Sequence, residues 1–523
     1  MKHKHDNSNQ IIQDFGRLVL YLVPALILIL GCLLHYYRGY YGVDLAPIHA
    51  QGVDDAYITY RYGWNLAHFN SLSWNESGYR RAEGFTNPLW VLASVIWSLP
   101  GTKEWVYPLS VLTSIALCVI LLIILTREVY KNNQDSPASI LGLILVAAFP
   151  ALWVHITSGL ESGVFGIGLA LLAYLVLFNK DNQFLPIYLI ILTIFLGLLR
   201  SDAFIYLAII LIAAIIAGTK SWKYVATGLA ISLILLFSWR YITFGTLLPN
   251  TALAKLNFTI IDRITSGLDF FLFVLINSGL LIMLLIGFGG LKLEARRVAL
   301  ASIFIIIGWL SYYLYIGGDW GFERHLVGLY FLCGALSAPL WRVAKPLTRV
   351  LFVIVIIWAG VVLIWRNGNR FDYLSPKSKD PWVMLGRAVA SDRERYGVIL
   401  TGAAGKIPFY AGGDFIDQLG LNDPYLATFE RDDFNPGHSA GNDLAAFELA
   451  RSHPSGVYAT FSFLDPKYVG GPEDISLWVD NNQPQDKVQH KVTGKQWSDA
   501  LQSGDPFIWS IISKPVLFSG EDQ

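Results

Sequence analysis

Two adjacent carboxylates, Asp54 and Asp55, stand at the start of the stretch DAYITYRYGWNLAHF, which runs from Asp55 to Phe69. A carboxylate beside a hydroxyl nucleophile can take its proton, and a neighbouring pair can also ligate a divalent cation. Tyr57, Tyr60, Arg61, Trp64 and His68 follow at near-helical spacing, which predicts an amphipathic helix lying at an interface. Carboxylates at a helix start are also stabilised by its dipole, so capping is the plain alternative for both aspartates. Further along are Glu83, then Glu161, then Arg200 and Asp202, then Lys255, and finally Asp319, Glu323, Arg324 and His325. Glu83 closes the polar segment 52–83, and the others lie at the ends of apolar runs. Ionisable groups at membrane depth are costly and tend to mark function. Arg and Lys suit the holding and neutralising of a phosphate leaving group. The combination suits transfer of a group from a lipid phosphate to a hydroxyl acceptor.

The positioning elements are apolar. Of 523 residues 54% are hydrophobic and 15% charged, against roughly a quarter charged in soluble domains. Formal net charge is zero, which excludes a basic footprint for nucleic acid. Cys32, Cys118 and Cys333 all sit inside apolar runs, with neither metal-ligand nor disulfide-framework spacing. Lys2, Lys4 and Arg17 precede an apolar run over 18–37, read as an uncleaved first span with a cytoplasmic N-terminus. Further spans are expected over 104–126, 138–156, 161–178, 184–199, 203–217, 222–243, 266–289, 298–316, 325–341 and 347–365, about eleven in all. The stretch 86–100, flanked by Pro88 and Pro100, is too short to span and reads as an interfacial helix or the bent start of the next span. With this parity the basic loops around Lys220 and Lys223, Lys292 to Arg297, and Arg342 to Arg349 are cytoplasmic. The mixed-polar ends then share the opposite face.

Beyond residue 365 the chain turns polar and Gly-, Pro- and Asp-rich. Strands are expected over 396–401, 415–421 and 457–463, with a turn-rich segment and a helix between the first two. The fold class is therefore an α-helical polytopic membrane protein with a C-terminal extracytoplasmic α/β domain. Residues 1–365 form the membrane domain, with a first external loop at 38–103, and 366–523 form the soluble domain. Trp478, Trp497 and Trp509 suit either stacking on sugar rings or a domain core.

The segment GVDDAYITYRYGWNLAHFNSLSWN, followed by AEGFTNPLW, resembles the GT-C glycosyltransferases, and among them the branch of terminal arabinofuranosyltransferases. SGLE at 158–161, LPNTALAK at 248–255, GGDW at 317–320 with Arg324, GKIPFY at 405–410 and DQLGLND at 417–423 follow in that family's order. Phe85 stands where the family has tyrosine. The resemblance implies a transferase in a bacterial cytoplasmic membrane that uses a polyprenyl-phosphate sugar donor, with configuration inverted. The acceptor would be an envelope glycan or glycolipid, reached from the outer face. By the same resemblance Asp54 is the base toward the acceptor hydroxyl and Asp55 its support, with the reverse assignment open. Charge and side make Arg200, Lys255, Arg324 and His325 candidates for the donor phosphate. Glu83 and Glu161 orient the loop or bind sugar hydroxyls, and Arg61, Asp202 and Asp319 complete the substrate-binding candidates. No resident cofactor is expected beyond a divalent cation the aspartates suit. Two other classes stay open: a transporter or flippase for a lipid-linked sugar, and a non-catalytic envelope-assembly protein.

Overall fold

The computed structural model describes residues 2–38, 52–178, 185–255, 260–319, 321, 323–347, 349–350, 380–391, 393 and 398–428, and strand residues 457–463, 474–478, 489–493 and 518–519. The expected span at 347–365, apart from its first residues, and Trp497 and Trp509 lie outside the described residues. The chain divides into two units, one of residues 1–52, 107–238 and 259–377, the other of residues 53–106, 239–258 and 378–523.

The first unit is helical. Among the described residues four segments are long and apolar enough to cross a membrane: Asp14–Tyr37, Lys103–Asn132, Trp222–Phe244 and Arg296–Tyr315. Two further pairs pass that test together but are bent, Pro137–Ala147 with Pro150–Thr157 by 65° and Ile260–Asn277 with Leu280–Leu291 by 77°. Among the described residues that makes up to six spans if each bent pair counts as one, and the breaks have local causes. Phe149 is extended before Pro150, because a residue preceding proline is pushed out of the helical region. Gly279 joins the second pair at φ +77°, where a Cβ would also fall 2.3 Å from the Phe149 ring. Helices Ser162–Phe178, Leu185–Leu199 and Ala203–Ala217 fall short of independent spanning length. The first of these is buried at every residue from Ser162 to Leu177, so its all-round apolar character answers to protein neighbours. It packs on Val327–Leu336, while Arg296–Tyr315 packs on Ala203–Ala217. The three cysteines are buried and free.

The second unit is mixed. Helix Asp54–Phe69 starts at the paired aspartates, and helix Pro88–Ser98 has 11 residues, too short to span. Strands β1 (Val398–Thr401), β2 (Phe415–Asp417), β3 (Val457–Phe463), β4 (Asp474–Trp478) and β5 (Gln489–Thr493) lie in the order β2-β1-β3-β4-β5, with β6 (Phe518–Ser519) paired to β3. β1 runs parallel to β2 and to β3, in the register Ile399 opposite Phe415 and Ala459. The remaining pairs are antiparallel. Helix Lys406–Ala411 is the crossover between β1 and β2, as a parallel pair requires. Ile58, Tyr62, Trp74 and Phe85 from before the composition break share one apolar cluster with Ile399, Ile407 and Phe415 from after it.

Candidate functional site

In the second unit, Asp54 begins its helix half-buried and Asp55 is exposed beside it. Both oxygens of Asp54 accept backbone N–H groups from the start of the crossover helix, Oδ1 from Lys406 at 2.7 Å and Oδ2 from Gly405 at 3.1 Å. The Lys406 ammonium turns to Asp380, Nζ to Oδ2 at 2.6 Å. Asp380 also caps its own helix, Pro381–Ala390, accepting from Trp382 and Val383. Burial pushes the Asp54 carboxyl up to about 7, against the pull of the Lys406 charge and N–H; Asp55 and Asp380 add to the rise. A carboxylate offers about four lone-pair positions, so two backbone donors leave Asp54 able to accept a proton. Positive charge from Lys406 already faces the carboxylate, and among the described residues no group of three or more His, Cys, Asp or Glu side chains is arranged to hold a metal.

Two of the other expected binding residues in this unit are committed to the fold. Arg61 is 1% exposed and donates to the backbone carbonyls of Trp74, Pro408 and Gly413, with its guanidinium over the Trp74 and Phe415 rings. Glu83 is fully enclosed and takes two parallel bonds from Arg240, Nε to Oε2 at 2.7 Å and Nη2 to Oε1 at 3.0 Å. Neither side chain is aimed at solvent or at an open site. Lys255 ends helix Asn250–Lys255, and its side chain lies outside the described residues. The motif at 417–423 is likewise structural. Asn250 donates to the carbonyls of Gly420, Leu421 and Asp423, while its own N–H donates to Glu83 O. Tyr62 donates to Ala82 O and to Asn422 Oδ1. These ties join the segments AEGFTN, LPNTALAK and DQLGLND, which explains their joint presence by packing.

The first unit joins six expected residues in one chain of ion pairs. Arg200 donates to Glu161 at 2.8 Å and, with two nitrogens, to Asp202 at 2.8 and 2.9 Å. His325 links Asp202, at 3.6 Å from Nδ1, to Asp319, at 2.8 Å from Nε2. Arg324 completes the chain on Asp319 Oδ2, Nε at 2.9 Å. Helix ends position all of it: Asp202 stands at the start of Ala203–Ala217, and Asp319 lies in the turn after Arg296–Tyr315. Burial acts to raise the Asp202 carboxyl, but the Arg200 guanidinium outweighs it and holds it at about 2. Asp319 is held well below the ordinary range, where Arg324 and His325 outweigh burial. Burial lowers His325 despite its contact with Asp319. His155 and Glu323 form a second buried contact at 3.5 Å.

Sequence reasoning passed over three cations. Arg240 is the single charge deep in the run WKYVATGLAISLILLFSWRYITF after its opening lysine, a position that itself signals a paired group. Lys406 sits in the quoted motif GKIPFY without an assigned role. Arg263 carries its guanidinium 4.7 Å over the Tyr315 ring, is 9% exposed, and has Nε and Nη1 buried without a hydrogen-bond partner.

No protein-family model and no curated protein matches the chain. Solved structures do. The oligosaccharyltransferase of Archaeoglobus fulgidus, in complex with Zn and sulfate, has a TM-score of 0.55 at 15% identity, over 92% of this chain and 76% of that one. The same enzyme tethered with an acceptor peptide containing the NVT sequon gives 0.52 at 13%, over 94% and 77%. A mycobacterial arabinofuranosyltransferase gives 0.44 at 14%, over 90% of this chain and 41% of that one. The chain thus has the fold of the archaeal oligosaccharyltransferase.

Proposed function

We propose that this chain is a membrane glycosyltransferase that moves a sugar, a pentose such as arabinofuranose or a hexose, from a polyprenyl-phosphate donor to a hydroxyl of an envelope glycan or glycolipid. The observation that carries this reading is the Asp54 carboxylate, fixed by two backbone N–H groups and poised at about 7. A base of that strength suits proton transfer near neutral pH. In the reaction the acceptor oxygen bonds to the anomeric carbon and the bond from that carbon to the phosphate oxygen breaks. The phosphate leaves with the electron pair, and the acceptor proton passes to Asp54. Attack opposite the leaving group inverts the anomeric centre. Asp55, exposed at the same helix start, orients the acceptor.

For the donor phosphate the reading assigns Arg263 first. Its Nε and Nη1 are buried without a hydrogen-bond partner among the described residues, whereas Arg200 and Arg324 are already met by carboxylates. A buried unpaired guanidinium is costly, and a phosphate would relieve that cost through charge-assisted bonds. Glu161, Asp202, Asp319 and His325 hold Arg200 and Arg324 in place as a scaffold. The reaction is assigned to the outer face of a bacterial cytoplasmic membrane, with the N-terminus cytoplasmic.

The test is transfer from radiolabelled polyprenyl-phosphate arabinofuranose, and from the corresponding mannose donor, in membranes carrying wild type, Asp54→Asn or Asp55→Asn. The expected result is loss of at least a hundredfold in Asp54→Asn and a smaller loss in Asp55→Asn. Full transfer by both variants would falsify the assignment.

A further inference from the structure

We propose that Lys406, held by Asp380, is a positioning residue that fixes the orientation and charge state of the Asp54 carboxylate. The inference rests on the reading of Asp54 as the base and deepens it. Its geometric ground is a seat made wholly by residues some 350 positions downstream of Asp54. The Gly405–Lys406 peptide presents two consecutive N–H groups, one to each carboxylate oxygen. The approach is so close that a Cβ on Gly405 would fall 1.9 Å from the Asp54 carbonyl oxygen and 2.8 Å from its Cγ. Only glycine fits there, so the loop and the helix start meet in one fixed register.

The side chain of Lys406 then adds charge. It is 7% exposed and lies between Asp380 and the Tyr57 ring, 5.8 Å from the ring centroid. The charged groups that act on Asp54 are Lys406 on the crossover helix, Asp380 at the start of the adjoining helix, and Asp55 on its own helix. Lys406 favours the ionised carboxylate, and the two aspartates disfavour it. Asp380 has a double effect. It repels the Asp54 charge directly, and its bond to Nζ holds the ammonium in its present place. Removing Lys406 is expected to raise the Asp54 titration, whereas neutralising Asp380 is expected to lower it, its direct repulsion outweighing the release of an ammonium that the Lys406 backbone still keeps beside Asp54. A purely structural pair would instead move it in one direction, or leave it unchanged, as the fold loosens.

The experiment is a pH titration of the full-length protein in nanodiscs by infrared difference spectroscopy. The Asp54 carboxyl band is identified as the one absent from Asp54→Asn, so no substrate is needed. Lys406→Met is expected to raise the midpoint by about one pH unit, and Asp380→Asn to lower it by a similar amount. Lys406→Arg, which keeps the charge, is expected to stay within a few tenths of a unit of wild type. Shifts of the same sign in the first two variants, or no shift, would overturn the inference; so would Lys406→Arg behaving like Lys406→Met. If Lys406→Met fails to fold, the Asp380→Asn and Lys406→Arg midpoints decide the matter alone. Opposite shifts accompanied by full transfer activity in Asp54→Asn would sink the base assignment while leaving this inference standing.

Discussion

Replacing Arg240 by methionine isolates the cost of an enclosed carboxylate. In the native protein Glu83 is 0% exposed and Arg240 2%, and two parallel hydrogen bonds join them. Burial raises the Glu83 carboxyl, while the Arg240 bond and charge pull it back. Without Arg240 only the raising cause remains, and the carboxyl can escape its unpaired charge by taking a proton. Protonation caps that cost at pH 7 at about 3.4 kcal/mol, ~1.36 kcal/mol for each of the 2.5 units between pH 7 and the ordinary value of 4.5. This lies within the roughly 3–5 kcal/mol typical of a broken buried pair. The sign follows from the raised folded value. Glu83 in the variant contributes its full stability below pH 4.5 and loses it progressively as pH rises toward the folded-state value. The penalty is therefore largest at pH 7 and shrinks to about 0.7 kcal/mol at pH 5, beside any loss of packing. Steric trapping in detergent micelles at both pH values measures it. The double variant Glu83→Met with Arg240→Met removes the charge altogether and is expected to recover at least half the loss at pH 7. A single-variant loss below about 1 kcal/mol at pH 7, or an equal loss at both pH values, would refute the reasoning.

Asn250→Ala removes a side-chain nitrogen that meets three carbonyls; a destabilisation of about 2–3 kcal/mol is expected, with faster hydrogen exchange at residues 420–423 as its local signature. Arg263→Gln is expected to weaken binding of undecaprenyl phosphate, read by native mass spectrometry, by tenfold or more relative to neutral undecaprenol, with Arg263→Lys intermediate; unchanged binding would leave Arg263 a packing residue. Because burial pushes the Asp54 carboxyl up to about 7, the transfer rate is expected to fall about tenfold per pH unit below 7. A limb inflecting near the ordinary carboxylate value would contradict the environment described for Asp54.

What the sequence made legible divides along a physical line. The start of the helix at Asp54, the strand at 457–463 and the shortness of the helix at 88–98 are all local, set by periodicity, turn residues and proline. The grouping of Glu161, Arg200, Asp202, Asp319, Arg324 and His325 was legible too, because each is a polar residue at the end of an apolar run. Such ends share a level even when the chain between them is unknown. Arg61 and Glu83 defeated the same argument. Each looks like an available polar group in its own segment, and each is consumed by partners 13 to 352 positions away. An apolar run by itself does not separate a span from an enclosed helix. An apolar run says that a helix avoids water, but Ser162–Phe178 avoids it by being enclosed in protein.

The ion-pair chain also corrects what its residue types suggest. Three cations near helix ends invite the picture of a phosphate receptor. Yet Glu161, Asp202 and Asp319 oppose Arg200 and Arg324, and burial disfavours the charged form of His325. Three carboxylates thus face two arginines and a histidine whose charged form burial disfavours. Breaking Arg200 from Asp202 would surrender a two-bond contact of 2.8 and 2.9 Å, a poor exchange for one new anion. Arg324 meets Asp319 through one oxygen, Oδ2, which also faces His325. Arg324 thus shares its carboxylate oxygen with His325, whereas Arg200 is met by both Glu161 and Asp202. The chain is then best understood as a rigid frame. Its acids hold its two arginines in place.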